Sequence, residues 1–92
     1  MESINLDRAF IGIRDYWSPK VVARVNDQYV KVAKRKGELA WHMHRDEDEM
    51  FQVIRGRLVI QFEGHREVAI SAGEFFVVPR GVMHNPVAEE DC

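Results

Sequence analysis

The turn residues in the second half of the chain constrain the fold more than any other feature. Arg55-Gly56, Gly64-His65, Ser71-Ala72-Gly73 and Pro79-Arg80-Gly81 interrupt the sequence at short intervals. Gly and Pro punctuate a chain because one supplies positive φ and the other removes a donor. The intervals between them are too short for a helix of ordinary length, but each holds a strand. Glu49 to Ile54, Arg57 to Glu63, Glu67 to Ile70, Phe75 to Val78 and Val82 to Val87 are the candidates. In the second of these, Leu58, Ile60 and Phe62 fall on one face, as alternate residues of a strand do. Upstream, Lys20 to Val25 and Gln28 to Lys36 flank the turn signal Asn26-Asp27, and Leu39 to His44 is a further extended piece. No segment sustains a helical period. Short strands with turns at about 8–12-residue spacing predict an all-β sandwich or barrel.

Residues 1–18 are read as an N-terminal arm, either a short helix or a segment laid across another surface. Ser18-Pro19 ends any regular element there, because Pro restricts the residue before it. Residues 19–92 are read as one β domain.

Size then sets a problem. Ninety-two residues are one domain, and such a domain buries only about 60–65% of its unfolded surface. A chain this small often needs a staple. Its single cysteine, Cys92, excludes an internal disulfide and fits a reducing cytoplasm. A net charge of −2 gives no electrostatic case for nucleic acid or an anionic membrane. No apolar run is long enough to span a bilayer, and the first residues lack the order of a signal peptide. A metal or a second subunit remains as the staple.

The histidines point to a metal. His42-Met43-His44 sets two imidazoles on one side of an extended segment, since residues i and i+2 share a face. Glu49 follows a polar stretch, Arg45-Asp46-Glu47-Asp48, and opens the next strand. His84 comes just after the turn at Pro79-Arg80-Gly81. Three imidazole nitrogens and one carboxylate oxygen are a plausible first shell for a divalent transition metal.

These residues also carry a family resemblance. Gly37, His42, His44, Glu49 and Gly56 resemble the first cupin motif, Gly-x5-His-x-His-x3–4-Glu-x6-Gly, with four residues rather than five between Gly37 and His42. Gly73, Pro79, Gly81 and His84 resemble the second, Gly-x5-Pro-x-Gly-x2-His-x3-Asn, whose final Asn is replaced here by Ala88. That position is not a ligand in the family. Sixteen residues separate the motifs, near the short end for cupins and similar to small single-domain bacterial members. The resemblance implies a jelly-roll β-barrel with His42, His44, Glu49 and His84 as ligands to iron, manganese, nickel, zinc or copper. It also implies a strand beyond the second motif. The sequence stops at Cys92, where that strand would begin. This leads us to expect either a barrel with one open edge, paired by an N-terminal segment of its own or of a partner, or a piece of a longer chain.

The other polar residues take bland readings. His65 lies between charges at a turn and is solvated, Asp46-Glu47-Asp48 is a solvated loop, Arg80 is a surface or interface residue, and Cys92 is incidental. If Glu49 faces inward, so do Phe51 and Val53. Phe51, Val53, Leu58, Ile60 and Phe62 are then candidate pocket walls, with Tyr29, Gln61 and Met83 at the mouth. No Lys or Arg is placed inward to hold a phosphate. Met50 and Ile54 would face outward, and a strand apolar on both faces is covered on both. A homodimer is the expected cover.

The functional expectation is a metal-dependent enzyme acting on a small organic molecule. Oxygenase chemistry comes first, an isomerase or lyase next, and a non-catalytic small-molecule-binding module stands as the competing class.

Overall fold

The computed structural model describes residues 1–92. It is nearly all β, with one short helix, α1 (Leu6–Ile11), and eight strands. No helix is long and apolar enough to cross a membrane. The chain forms two compact units, Met1–Lys34 and Arg35–Cys92.

The first unit holds α1 and a hairpin. The Asn5 side chain accepts a hydrogen bond from the Arg8 amide at 3.0 Å, satisfying one of the donors that a helix start leaves open. β1 (Lys20–Val25) and β2 (Gln28–Val32) pair antiparallel around Asn26-Asp27, with a register shift between Val21 and Ala23. Asn26 takes a positive φ of 55°, a conformation Asn tolerates better than most residues. Beyond β2 the chain is not continuous strand, and the expected extension to Lys36 is reduced to a bridge between Lys34 and Tyr16.

The second unit carries the six remaining strands. β3 (Gly37–Glu38), β8 (His84–Ala88), β5 (Arg57–Phe62) and β6 (Arg66–Ser71) form one sheet in that order. β4 (Glu49–Gln52) and β7 (Phe75–Val78) form the second. The chain passes repeatedly between the two sheets, as in a jelly roll, and the sheets are not closed into one continuous barrel. The extended piece from Leu39 to His44 forms no named strand. This stretch is irregular and touches the ladder only through an isolated bridge from His42 to His84.

Alternation fixes the core. On β5, Leu58 stands opposite Ile70, Ile60 opposite Val68 and Pro86, and Phe62 opposite His84. Directly opposed residues share a face, so these side chains form one inner surface. On the second sheet, Glu49 opposes Val78 and Phe51 opposes Phe76. Phe51, Val53, Leu58, Ile60, Ile70, Val78 and Ala88 pack together as the buried core. The outward side of β4–β7 stays apolar, with Met50, Phe75 and Val77 exposed.

One glycine is demanded by close approach. Gly56 has a φ of +84°, and a Cβ there would stand 2.5 Å from the Asp91 carbonyl oxygen. The turn after β4 therefore admits the last residues only because no side chain is present. Cys92 in turn exchanges two backbone hydrogen bonds with Arg35, at 2.7 and 2.9 Å.

Candidate metal centre

His84 and Glu49 come from facing sheets, each on the inner side of its strand. His42 reaches the same place because its backbone pairs with that of His84. The two residues exchange both amide-to-carbonyl bonds, at 2.9 and 2.8 Å, and their rings lie 4.4 Å apart between centroids. His44 follows two residues on, its ring 5.3 Å from that of His42. The Gly81 amide donates to the His44 carbonyl at 2.7 Å, and the Arg80 amide donates to Asp48 Oδ1 at 2.9 Å. The turn at Pro79-Arg80-Gly81 thus holds down both ends of the acidic loop that separates His44 from Glu49. Arg80 and Asp48 also form an ion pair at 3.5 Å, so Asp48 is a structural partner and not merely solvated.

The four residues converge. One ligand atom from each of His42, His44, Glu49 and His84 lies within 4.8 Å of all the others. Glu49 Oε1 is 3.5 Å from His44 Nε2 and 3.7 Å from His84 Nε2. Donors on opposite sides of one ion, with bonds of about 2.1 Å, stand about 4.2 Å apart. A few tenths of an ångström of closure would seat the ion.

The ring protons are already committed elsewhere. His42 Nδ1 lies 2.8 Å from the Ala40 carbonyl, and His84 Nδ1 lies 2.9 Å from the Val82 carbonyl. A carbonyl only accepts, so each Nδ1 must donate. In a neutral imidazole that leaves the Nε2 lone pair free to bind a cation, the arrangement expected of metal-ligating histidines. His44 Nδ1 faces Glu47 Oε1 at 3.5 Å.

The chemistry of the donor set supports a cation. His44 Nε2, His84 Nε2 and Glu49 Oε1 are buried and have no hydrogen-bond partner. Buried polar atoms are nearly always satisfied, and leaving several unsatisfied together is costly. A single divalent ion would satisfy all three, and the residues present fit one.

The remaining predicted wall residues separate into distinct places. Val53, Leu58 and Ile60 are core residues, because the space between the sheets is filled by side chains. Phe51 is also in the core, but its ring stands edge-on to His84 with centroids 6.1 Å apart. Phe62 and Met83 line open surface depressions together with Val82, Trp41, Gln61 and Arg66. None of His42, His44, Glu49 and His84 lines either depression. Tyr29 is on β2, exposed, beneath the guanidinium of Arg24 at 5.8 Å.

One residue at the site was not foreseen. The expectation that no Lys or Arg faces inward does not hold. The Arg35 guanidinium lies over the Phe51 ring, 4.8 Å from its centroid. Burial lowers its pKa, and the nearby charge of Glu49 is the main influence opposing that shift. Arg35 follows the point where β2 ends, so strand alternation says nothing about its direction. The Phe51 contact is a tertiary one with no local signal.

Comparison with known proteins agrees with this architecture. Residues 28–92 match the Cupin_2 family model, that of a cupin domain. The chain is 36% identical over 63 residues to the uncharacterized protein YdbB of Bacillus subtilis; the match covers 68% of this chain and 56% of YdbB. The matched region therefore spans little more than half the length of that relative. Among solved structures, a cupin-2 domain containing protein from Shewanella frigidimarina superposes with a TM-score of 0.93 at 43% identity, over 97% of this chain and 86% of the other. Protein NMB1881 from Neisseria meningitidis gives a TM-score of 0.91 at 31% identity, over 99% of this chain and 92% of the other.

Proposed function

The chain belongs to the cupin family, and on that premise we propose that it is a metal-dependent enzyme acting on a small organic molecule, with oxygenase chemistry as the leading reaction class. The observation that carries the reading is the convergence of His42, His44, Glu49 and His84 with three of their buried donor atoms unsatisfied. Three nitrogens and one oxygen occupy four positions of a divalent ion, leaving about two of an octahedral shell for substrate or a second reactant. The metal, when bound, would supply a Lewis acid and a meeting point for those two molecules.

The protein's own residues do the rest. Ala40 and Val82 fix the histidine tautomers through their carbonyls, so the rings need not reorient on binding. Phe51 screens one side of His84 from water.

The test is turnover by metal-loaded protein. Protein loaded separately with iron, manganese, nickel, zinc or copper is assayed for oxygen uptake with a panel of catechols, β-diketones and sugars, and for product by mass spectrometry. Oxygen uptake dependent on both metal and substrate supports the reading. A panel that yields neither oxygen uptake nor any product, with metal demonstrably bound, overturns it in favour of a binding module.

A further inference from the structure

The three histidines of the cluster orient their rings by two different devices. The Nδ1 atoms of His42 and His84 face the backbone carbonyls of Ala40 and Val82, at 2.8 and 2.9 Å. The Nδ1 atom of His44 faces a side chain instead, Glu47 Oε1 at 3.5 Å, while its Nε2 lies 3.5 Å from Glu49 Oε1 inside the cluster. An ionised carboxylate only accepts, so a proton shared with Glu47 sits on Nδ1 and leaves the Nε2 lone pair to an ion.

The loop that carries Glu47 is held at both ends. The Gly81 amide donates to the His44 carbonyl at 2.7 Å, and Asp48 Oδ1 accepts from the Arg80 amide at 2.9 Å. Glu47 lies between these two anchors, three residues after His44, so its backbone is placed before an ion arrives. Its side chain is 68% exposed and has room to close from 3.5 Å to the roughly 2.7–2.9 Å of a charge-assisted hydrogen bond. Charge favours that closure. Three neutral imidazoles, the Glu49 carboxylate and a divalent ion sum to a net positive charge, and a carboxylate across the His44 ring offsets it. The next acid in the loop is engaged elsewhere, since Asp48 pairs with Arg80 at 3.5 Å.

We propose that Glu47 is the positioning residue of the centre: it accepts the Nδ1–H of His44, holds the ring with Nε2 toward the ion and strengthens that nitrogen as a donor. The proposal rests on the metal-centre reading and adds a partner outside the ligand set. Glu47 does not itself touch the ion. It acts through His44, the one ligand ring of the three whose Nδ1 faces a side chain rather than the backbone.

The experiment uses the whole chain and Zn2+. Zinc stoichiometry of wild-type protein is measured first. Dissociation constants then follow, by competition with a chromophoric chelator, for wild type, Glu47→Ala, Glu47→Gln and Asp46→Ala. Losing the outer partner of a metal-bound histidine costs about 10–100-fold in affinity. Glu47→Ala should fall at the low end, about tenfold, because the carboxylate is mostly in solvent. Glu47→Gln keeps an oxygen that can accept the Nδ1 proton and should recover part of the loss. Asp46→Ala removes the same charge from the same loop and should stay within about twofold, as a screened surface charge does. No loss in Glu47→Ala, or an equal loss in Asp46→Ala, overturns the proposal and leaves the metal centre standing. Failure of wild-type protein to take up zinc overturns both. Nitrogen–proton spectra of the zinc-loaded protein add a reading that general stability does not move. The His44 ring proton should sit on Nδ1 in wild type, and its resonance should shift in Glu47→Ala while those of His42 and His84 stay. An unshifted His44 resonance in that variant contradicts the proposal. So does a wild-type His44 proton on Nε2, even if the variants fail to fold.

Discussion

His42 and His84 exchange both backbone hydrogen bonds across the irregular edge of the larger sheet, and each gives its Nδ1 proton to the carbonyl two residues before it. Residues forty-two positions apart thus present the same ring nitrogen by the same local device. In metal-free protein at neutral pH, both rings should be the Nδ1–H tautomer. Long-range nitrogen–proton correlation spectra of the histidine rings read this directly. An Nε2–H signal for either residue would break the account of how the donors are preset.

The glycine at the β4–β5 turn offers a backbone test. Gly56→Ala forces a Cβ to 2.5 Å from the Asp91 carbonyl and a side chain into φ +84°. The cost should be about 1–3 kcal/mol, as for other residues held in the left-handed region. Urea unfolding of the variant beside wild type measures it. A change below about 0.5 kcal/mol, typical of an ordinary surface site, would mean the last residues do not pass there.

Core and outer face should respond differently. Ile60 is fully buried, while Val77 on the outward side of β7 is 43% exposed. Ile60→Ala should cost about 2–5 kcal/mol through lost contacts and a residual cavity. Val77→Thr should stay within about 0.5 kcal/mol. For a domain whose total stability is of order 5–15 kcal/mol, the first loss is a large fraction of the whole. Equal effects at the two positions would contradict the assignment of faces.

Cys92 gives stability a pH dependence. Burial raises the pKa of its thiol, and Arg35 partly opposes the shift. The folded form therefore holds the thiol proton more tightly than the unfolded chain does. This contribution to stability is fully present below the unfolded thiol's range, about 8.5, and is lost as pH rises past it. Comparing unfolding free energies of wild type and Cys92→Ser across that range isolates the effect. Wild type should lose stability relative to the variant as the pH rises, and parallel curves would refute it.

Much of this was legible in the sequence, for physical reasons that can be named. β4 and β5 carry their inner faces as alternation, and Gly56, Gly64, Gly73 and Gly81 all take positive φ, so period and punctuation point to the same fold. His42, His44, Glu49 and His84 could be grouped because ligand chemistry restricts residue type and the motif spacing is close to the cupin pattern. The extended piece from Leu39 to His44 pairs at one point only, His42 with His84, since an extended segment need not have ladder partners along its length. Val53, Leu58 and Ile60 were expected as pocket walls, because alternation shows which side a residue faces but not whether that side is filled. Arg35 was missed because its place depends on a contact with Phe51, sixteen residues away and across the interior.

The central claim is that His42, His44, Glu49 and His84 hold one divalent metal ion. Elemental analysis of protein purified without a histidine tag and loaded by dialysis tests it most directly, with His42→Ala and His84→Ala beside it. Wild type should carry about one ion per chain, and each variant should lose it while keeping β-sheet circular dichroism. Metal retained at the same stoichiometry in both variants, or none bound by wild type, would contradict the assignment.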